Sequence, residues 1–209
     1  MELVIGLAIL IYSAILHEIA HGFVADRLGD PTARLSKRLT LDPRPHIDPF
    51  MSILLPLLLI VSGSPVIFGA AKPVPVDPFN LKEGRKDLAL VSLAGPLTNI
   101  LLAIAASLLY RFLDWIPVLI PGFVGFFLIT IMQYNVLLAV FNLLPIPPLD
   151  GSKVFAMLLP DKEARAYLSL GSIGIFILFF LLLFPIDGFS LGKFIFDLMS
   201  FAQSLLLPY

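Results

Sequence analysis

The chain contains no cysteine and little charge. Without cysteine there can be no disulfide, thiolate metal site or cysteine nucleophile, so any metal must be bound by histidine and carboxylate side chains. Only 14% of the 209 residues are charged and 58% are hydrophobic, whereas soluble globular proteins carry about 25% charged residues. A formal net charge of −1 gives no indication of nucleic-acid binding. The composition therefore predicts a protein of the lipid bilayer.

Apolar runs long enough to cross a bilayer, which takes roughly 20 residues, recur along the sequence. The predicted spans are about 2–25, 88–110, 118–144, 166–185 and 189–207. A sixth apolar stretch, 50–71, is broken by Pro56 and by Gly63-Ser64-Pro65. Irregular backbone at membrane depth must be covered by protein or water, so this stretch is predicted to be a re-entrant or sheet-like element packed against the helices. The expected fold is an all-α polytopic membrane protein with about five to six transmembrane helices, forming one domain over 1–209.

The basic residues indicate how the chain is oriented. If the first span runs from outside to inside, all of the 14 Lys and Arg residues except Arg111 and Lys193 lie in cytoplasmic loops, as the positive-inside rule favours. The apolar start, 3–16, has no basic residue before it and no small-residue cleavage site after it. We therefore expect a retained first helix in a multi-pass protein of the cell membrane.

The first helix carries a metal motif, His17-Glu18-Ile19-Ala20-His21. Residues four apart share a helix face, so the His17 and His21 imidazoles can reach one ion. Glu18 lies beside that face and can act as a general base towards a zinc-activated water. A lone buried histidine is more often a hydrogen-bonded core residue, but ionisable groups clustered at membrane depth are costly and usually functional. The motif predicts a zinc site in the inner half of this helix.

A third ligand is needed, because catalytic zinc usually has three protein ligands and one open position. The segment 142–151, Asn-Leu-Leu-Pro-Ile-Pro-Pro-Leu-Asp-Gly, closes the third long span and offers Asp150. Its prolines prevent a regular helix and free backbone groups. From spacing alone, Asp150 is equally well interpreted as a solvated turn residue.

At these two segments the sequence resembles the site-2 protease family of intramembrane zinc metalloproteases. His17-Glu18-x-x-His21 matches the family's metal motif, and 142–151 matches its second motif, Asn-x-x-Pro-x-Pro-x-Leu-Asp-Gly, at every fixed position. The resemblance covers about 5–155, the expected catalytic core, with further helices at about 166–207. It implies that His17, His21 and Asp150 bind one Zn²⁺ per chain, that Glu18 is the catalytic acid and base, and that Asn142 contacts the substrate or the oxyanion.

The resemblance also implies a function. We expect a zinc metalloendopeptidase that hydrolyses peptide bonds in or near transmembrane segments of membrane-protein substrates, as in regulated intramembrane proteolysis. Many relatives carry PDZ or CBS domains, for which this chain has no room. A metal transporter using the same ligands and an inactive membrane scaffold are the alternatives. Polar residues concentrated on one side argue against the transporter, and the intact motif argues against the scaffold.

Other polar or small residues receive structural interpretations. The stretch 68–74 also resembles compact members of the family and is assigned to the element beside the site. Gly95-Pro96 and Asn99 are interpreted mainly as helix packing, since small residues allow close helix approach. His46 could be a substrate-side or second metal residue, but is assigned to a loop. Asp187 and Asp197 are given loop or polar-pairing roles.

Overall fold

The computed structural model describes residues 1–54, 57–58, 61–62, 71–115 and 122–207. Within these ranges the chain forms helices and helical turns, with no β-strand. Short turns lie at Arg44–His46, Pro49–Leu54 and Pro78–Asn80. The helices are α1 (Glu2–Leu28), α2 (Thr32–Leu35), α3 (Arg85–Trp115), α4 (Gly122–Asn142), α5 (Asp150–Met157), α6 (Asp161–Ser169), α7 (Gly171–Leu183) and α8 (Leu191–Leu206).

The ends of the long helices follow from local chemistry. Gly29 ends α1 with a φ of 115°, a left-handed conformation that glycine adopts without the steric cost of a side chain. Pro145, Pro147 and Pro148 follow α4 and cannot continue it. The bend at the end of α4 turns the chain back towards α3, against which α5 packs.

Among the described residues, three helices, α1, α3 and α4, are long and apolar enough to cross a membrane. The number rises to four if α6 and the helix 173–183 form one span bent by 72°. The prediction of an all-helical fold is confirmed for the described residues, but five to six spans are not. The predicted span at 166–185 is broken by that bend, and at 189–207 the helix α8 has only 16 residues.

The predicted sheet-like element at 50–71 is not confirmed either. Most of that stretch lies outside the described residues, and its described part begins with the helical turn Pro49–Leu54. The neighbouring described residues 71–77 have no regular secondary structure. The re-entrant interpretation of 50–71 therefore stays a prediction.

The distribution of polar side chains is inverted relative to a soluble protein. Large apolar side chains are exposed on the outer faces of the helices, for example Leu101 and Phe176. Buried between α1, α3 and α4 lie Ser13, Asn99 and Asn135. This arrangement suits a bilayer, where polar groups face the interior of a helix bundle. At its centre α3 packs against α1, α4 and α5.

Candidate metal centre

Three potential ligand side chains meet where α1, α3 and α5 come together. His17, His21 and Asp150 are all buried, and one nitrogen or oxygen atom from each lies within 4.8 Å of the others. The His17 Nε2 is 3.0 Å from the His21 Nε2. The Asp150 Oδ2 is 3.2 Å from the His17 Nε2 and 3.1 Å from the His21 Nε2. The structure thus brings Asp150 to the histidine pair rather than leaving it in a solvated turn.

The protonation of each imidazole follows from its partner on the other ring nitrogen. The His21 Nδ1 lies 2.7 Å from the backbone carbonyl oxygen of Val91, which can only accept, so Nδ1 carries the hydrogen. The His17 Nδ1 lies 2.6 Å from the side-chain oxygen of Asn99. In its neutral form the His21 ring therefore has a free lone pair on Nε2.

A chain of hydrogen bonds fixes the orientation of the Asn99 amide. The Asn135 Nδ2 donates to the backbone carbonyl of Ile131 at 2.8 Å, which fixes the Asn135 amide because a carbonyl only accepts. Its Oδ1 then accepts from the Asn99 Nδ2 at 2.8 Å, leaving the Asn99 Oδ1 to accept from His17. These hydrogen bonds place the hydrogen of a neutral His17 ring on Nδ1. Its Nε2 is then bare, which means that it carries a lone pair and no hydrogen.

Two bare nitrogens and a carboxylate oxygen therefore face one point. With no positive charge between them these lone pairs would repel one another, so a cation bound at this point would stabilise the arrangement. A tetrahedral zinc ion with bonds of about 2.0–2.1 Å separates its ligand atoms by roughly 3.3 Å. The observed separations of 3.0–3.2 Å are close to that spacing. The donor set also suits zinc, which accepts imidazole nitrogen and carboxylate oxygen together.

Backbone packing delivers Asp150 to the centre. A Cβ on Gly151 would lie 2.1 Å from the Leu143 carbonyl oxygen, so only glycine lets α5 begin this close to the end of α4. At the other end of α5, the Arg85 guanidinium donates to the carbonyls of Ala156 and Leu159 at 3.0 and 2.9 Å. The remaining Asp150 oxygen accepts from the Lys153 ammonium at 3.0 Å. Lys153 thereby holds Oδ1, while Oδ2 faces the two histidines.

Gly95 forms the floor of the centre. A Cβ at this position would lie 2.5 Å from the His21 Nε2 and 2.6 Å from the His17 Nε2. Such distances are far below ordinary van der Waals contact. Gly95 therefore has a site-specific role, in addition to the helix packing predicted from its size.

Glu18 lies on α1 next to His17, and its carboxylate has a backbone partner. The Glu18 Oε2 accepts from the N–H of Val74 at 2.7 Å. Val74 belongs to the irregular stretch 71–77, which runs beside α1. The side chain predicted to act as the base is thus held from outside its own helix.

Asn142 has a local contact within α4. Its Nδ2 donates to the Leu138 carbonyl one turn earlier, at 2.9 Å. The amide hydrogen-bonded to a candidate ligand is instead Asn99. Sequence reasoning missed Asn99 and Asn135 as supports of the site, although uncharged amides within long apolar helices were a usable signal.

His46 lies outside the ligand cluster, in the loop turn Arg44–His46. It is buried, and its Nε2 contacts the Thr40 carbonyl at 2.9 Å. Asp187 sits in an exposed turn and Asp197 on the exposed side of α8. None of these three residues reaches the candidate metal centre.

Two histidines and a carboxylate, buried among apolar helices beside a glutamate, define a candidate membrane metalloenzyme. Residues 116–185 match the sequence model of Peptidase family M50. Over 187 residues the chain is 37% identical to "Putative zinc metalloprotease YwhC" of Bacillus subtilis (strain 168), covering 87% of this chain and 81% of that protein. The chain belongs to peptidase family M50, the site-2 protease family.

Other relatives carry similar names. "Putative zinc metalloprotease Rip2" of Mycobacterium tuberculosis (strain ATCC 25618 / H37Rv) is 35% identical over 196 residues, which is 92% of this chain and 73% of that protein. "Putative zinc metalloprotease MJ0611" of Methanocaldococcus jannaschii is 36% identical over 104 residues, which is 47% of each chain. No solved structure matches the chain. The relatives' names agree with a zinc-dependent peptidase.

Proposed function

We propose that the protein is an intramembrane zinc metalloprotease that cleaves peptide bonds in or near transmembrane segments of other membrane proteins. One observation carries the proposal: the Nε2 atoms of two imidazoles and a carboxylate oxygen converge beside Glu18, inside a bundle of apolar helices. Membership of a peptidase family supports a peptide substrate. Because the three ligand atoms converge on one point, we propose one zinc ion per chain.

In this proposal His17, His21 and Asp150 hold the ion, with Lys153 keeping the Asp150 carboxylate oriented. Zinc bound there supplies Lewis acidity, which makes water nucleophilic near neutral pH and polarises a carbonyl. Glu18 accepts a proton from the attacking water and passes it to the leaving nitrogen. Each proton taken up by the carboxylate is thus returned within one turnover.

Asn142 is proposed to hydrogen-bond the substrate backbone or the developing oxyanion. Its amide has two N–H groups, of which one is given to the Leu138 carbonyl. Hydrogen bonds that strengthen as charge develops on the carbonyl oxygen lower the barrier. This role predicts that Asn142→Ala lowers cleavage while leaving the zinc content unchanged.

The location completes the proposal. We infer a multi-pass cell-membrane protein, with the centre towards the cytoplasmic side, because nearly all basic residues lie in the loops predicted to face inwards. The domain is proposed to be single, over 1–209, with its catalytic core at about 5–155.

The test compares cells that express the wild type with cells that express Glu18→Gln, using mass spectrometry of membrane-protein fragments. We expect fragments ending within or next to transmembrane segments only with the wild type, since the glutamine amide cannot accept the proton. Loss of a general base typically slows a reaction about 10²- to 10⁴-fold. Glu83→Gln is the matched control, because Glu83 is exposed and pairs with Lys86. Identical fragments from wild type and Glu18→Gln would refute the proposal.

A further inference from the structure

Residues 72–77 (the 72–77 segment) contact α1 at the turn that carries Glu18. The segment has no regular secondary structure. Its Val74 N–H donates to the Glu18 Oε2 at 2.7 Å. The Val74 side chain is buried. A residue in an irregular loop therefore meets the carboxylate that the proposed reaction uses as its base.

The sequence of the segment favours this contact. Lys72 and Val74 each precede a proline, which restricts them to extended conformations. Pro73 and Pro75 have no N–H, so between residues 73 and 75 Val74 is the only possible backbone donor. The segment is stiff and presents one amide to Glu18.

The side chain of Val74 fits a niche on α1. A Cβ built on Gly22, one helical turn after Glu18, would lie 2.9 Å from the Val74 Cγ1 and 2.8 Å from the Ala33 Cβ. Glycine at position 22 thus creates the space that Val74 fills. The same valine is fixed by its side chain at Gly22 and by its N–H at Glu18.

Both ends of the 72–77 segment are clamped by polar groups. At the start, the buried Arg38 donates from Nη2 to the Lys72 carbonyl at 2.7 Å, and the Lys72 N–H donates to the His46 carbonyl at 2.8 Å. At the end, the Asp77 N–H donates to the Asp30 Oδ2 at 2.7 Å. The segment therefore cannot move away from Glu18 without breaking hydrogen bonds at one end.

We propose that the Val74 amide holds the Glu18 carboxylate in its working position, and that Arg38 is a positioning residue acting through the 72–77 segment. The proposal rests on the role of Glu18 in the proposed function. A hydrogen bond from N–H to a carboxylate is among the stronger ones in proteins. Its loss lets the side chain adopt other rotamers, so fewer molecules have the carboxylate ready to accept a proton.

The first test measures the contact itself and needs no substrate. Hydrogen–deuterium exchange is followed by mass spectrometry on peptides that span 72–77, where the two prolines contribute no amide signal. In Glu18→Ala we expect exchange at Val74 to become about tenfold faster or more. Unchanged exchange at Val74 would overturn the proposal, whether or not the protein is a protease.

The second test separates positioning from metal binding. Its probe is the single-span membrane protein cleaved by the wild type but not by Glu18→Gln, purified and reconstituted with the enzyme in nanodiscs. For Val74→Pro and Arg38→Met we expect kcat to fall about ten- to a hundredfold, with KM and zinc content near the wild-type values. Arg38→Lys should recover part of the loss, because an ammonium group can still donate to the Lys72 carbonyl.

A matched control shows whether the effect is specific. Arg44→Met changes an exposed loop arginine paired with Asp42 and should keep the wild-type kcat. Wild-type kcat in both Arg38→Met and Val74→Pro would overturn the proposal. A loss of zinc in proportion to the loss of activity, in either of these variants and in Arg38→Lys, would also overturn it. Identical membrane-protein fragments from cells with the wild type and with Glu18→Gln would instead refute the proposed function, and the exchange measurement would still stand.

Discussion

Adding one methyl group at Gly95 is expected to destroy the candidate metal centre without disturbing the helix that carries it. The new Cβ would lie 2.5–2.6 Å from atoms of both imidazoles, where ordinary contact begins at 3.4 Å. The rings would have to retreat by roughly 0.8 Å, whereas metal–ligand distances tolerate only about ±0.2 Å. Both rings are also tied by hydrogen bonds on Nδ1, so they cannot retreat freely. We expect the zinc affinity of Gly95→Ala to fall by at least a hundredfold.

The expected loss of zinc affinity is opposite to the effect that a glycine-to-alanine change usually has in a helix. In a helix, alanine is intrinsically more favourable than glycine by about 1 kcal/mol, so a generic view of α3 predicts a harmless or stabilising change. The matched control is Gly171→Ala at the start of α7, where a Cβ meets nothing within 4 Å. Zinc per chain is measured by plasma mass spectrometry, affinity by chelator competition and folding by thermal melting in detergent. Wild-type zinc affinity in folded Gly95→Ala would show that His17 and His21 do not bind zinc in this geometry.

Three further predictions concern other parts of the site and its surroundings. His17→Ala or His21→Ala should remove most of the bound zinc, and stoichiometric zinc in the double variant, measured by plasma mass spectrometry, would exclude a metal site here. Asn99→Leu should weaken zinc binding about 10- to 100-fold, as loss of a partner behind a ligand typically does; unchanged affinity in chelator competition would contradict the assigned His17 tautomer. Burial would raise the pKa of Asp30, but hydrogen bonds from Thr32, Asn80 and the Asp77 backbone lower it below its ordinary value. Its stabilisation is then complete above the unfolded pKa of about 3.9 and is lost as pH falls through the lower folded value, so the gap in melting temperature between wild type and Asp30→Asn should shrink on acidification from pH 6 to pH 3. A constant gap would contradict this.

The sequence predicted those parts of the site that depend on local spacing. His17 and His21 are four residues apart, and a helix brings such residues to one face whatever surrounds it. Asp150 was open on spacing alone, because 128 residues separate it from His21 and no local rule relates the two. Resemblance to a family suggested the pairing, and the close approach of Gly151 to the Leu143 carbonyl explains it physically.

The span count was less predictable because hydropathy does not report helix geometry. The apolar run at 166–185 contains the bend between α6 and α7. In α7, a Cβ on Gly174 would lie 1.8 Å from the Pro147 carbonyl oxygen, so this helix is packed tightly against the proline-rich segment that precedes Asp150. Such a contact is decided by tertiary packing, which a window average cannot register.

The α3 residues that support the ligand histidines were hard to predict for a different reason, because they depend on how α1 and α3 pack against each other. On α1 and on α3 the relevant residues recur every four positions, so each set forms a stripe along one helix face. The stripes run antiparallel, because Asn99 bonds to His17 near one end and the Val91 carbonyl bonds to His21 near the other. Considered one at a time, these α3 residues would be assigned to helix packing. Val91 offers a backbone carbonyl, Gly95 offers the absence of a side chain and Asn99 offers an amide. Considered together, Ser13, His17 and His21 on α1 face Asn99, Gly95 and Val91 on α3. Because Asn99 and Val91 accept from the two Nδ1 atoms and Gly95 offers no side chain, both Nε2 atoms are left without a hydrogen-bond partner from α3.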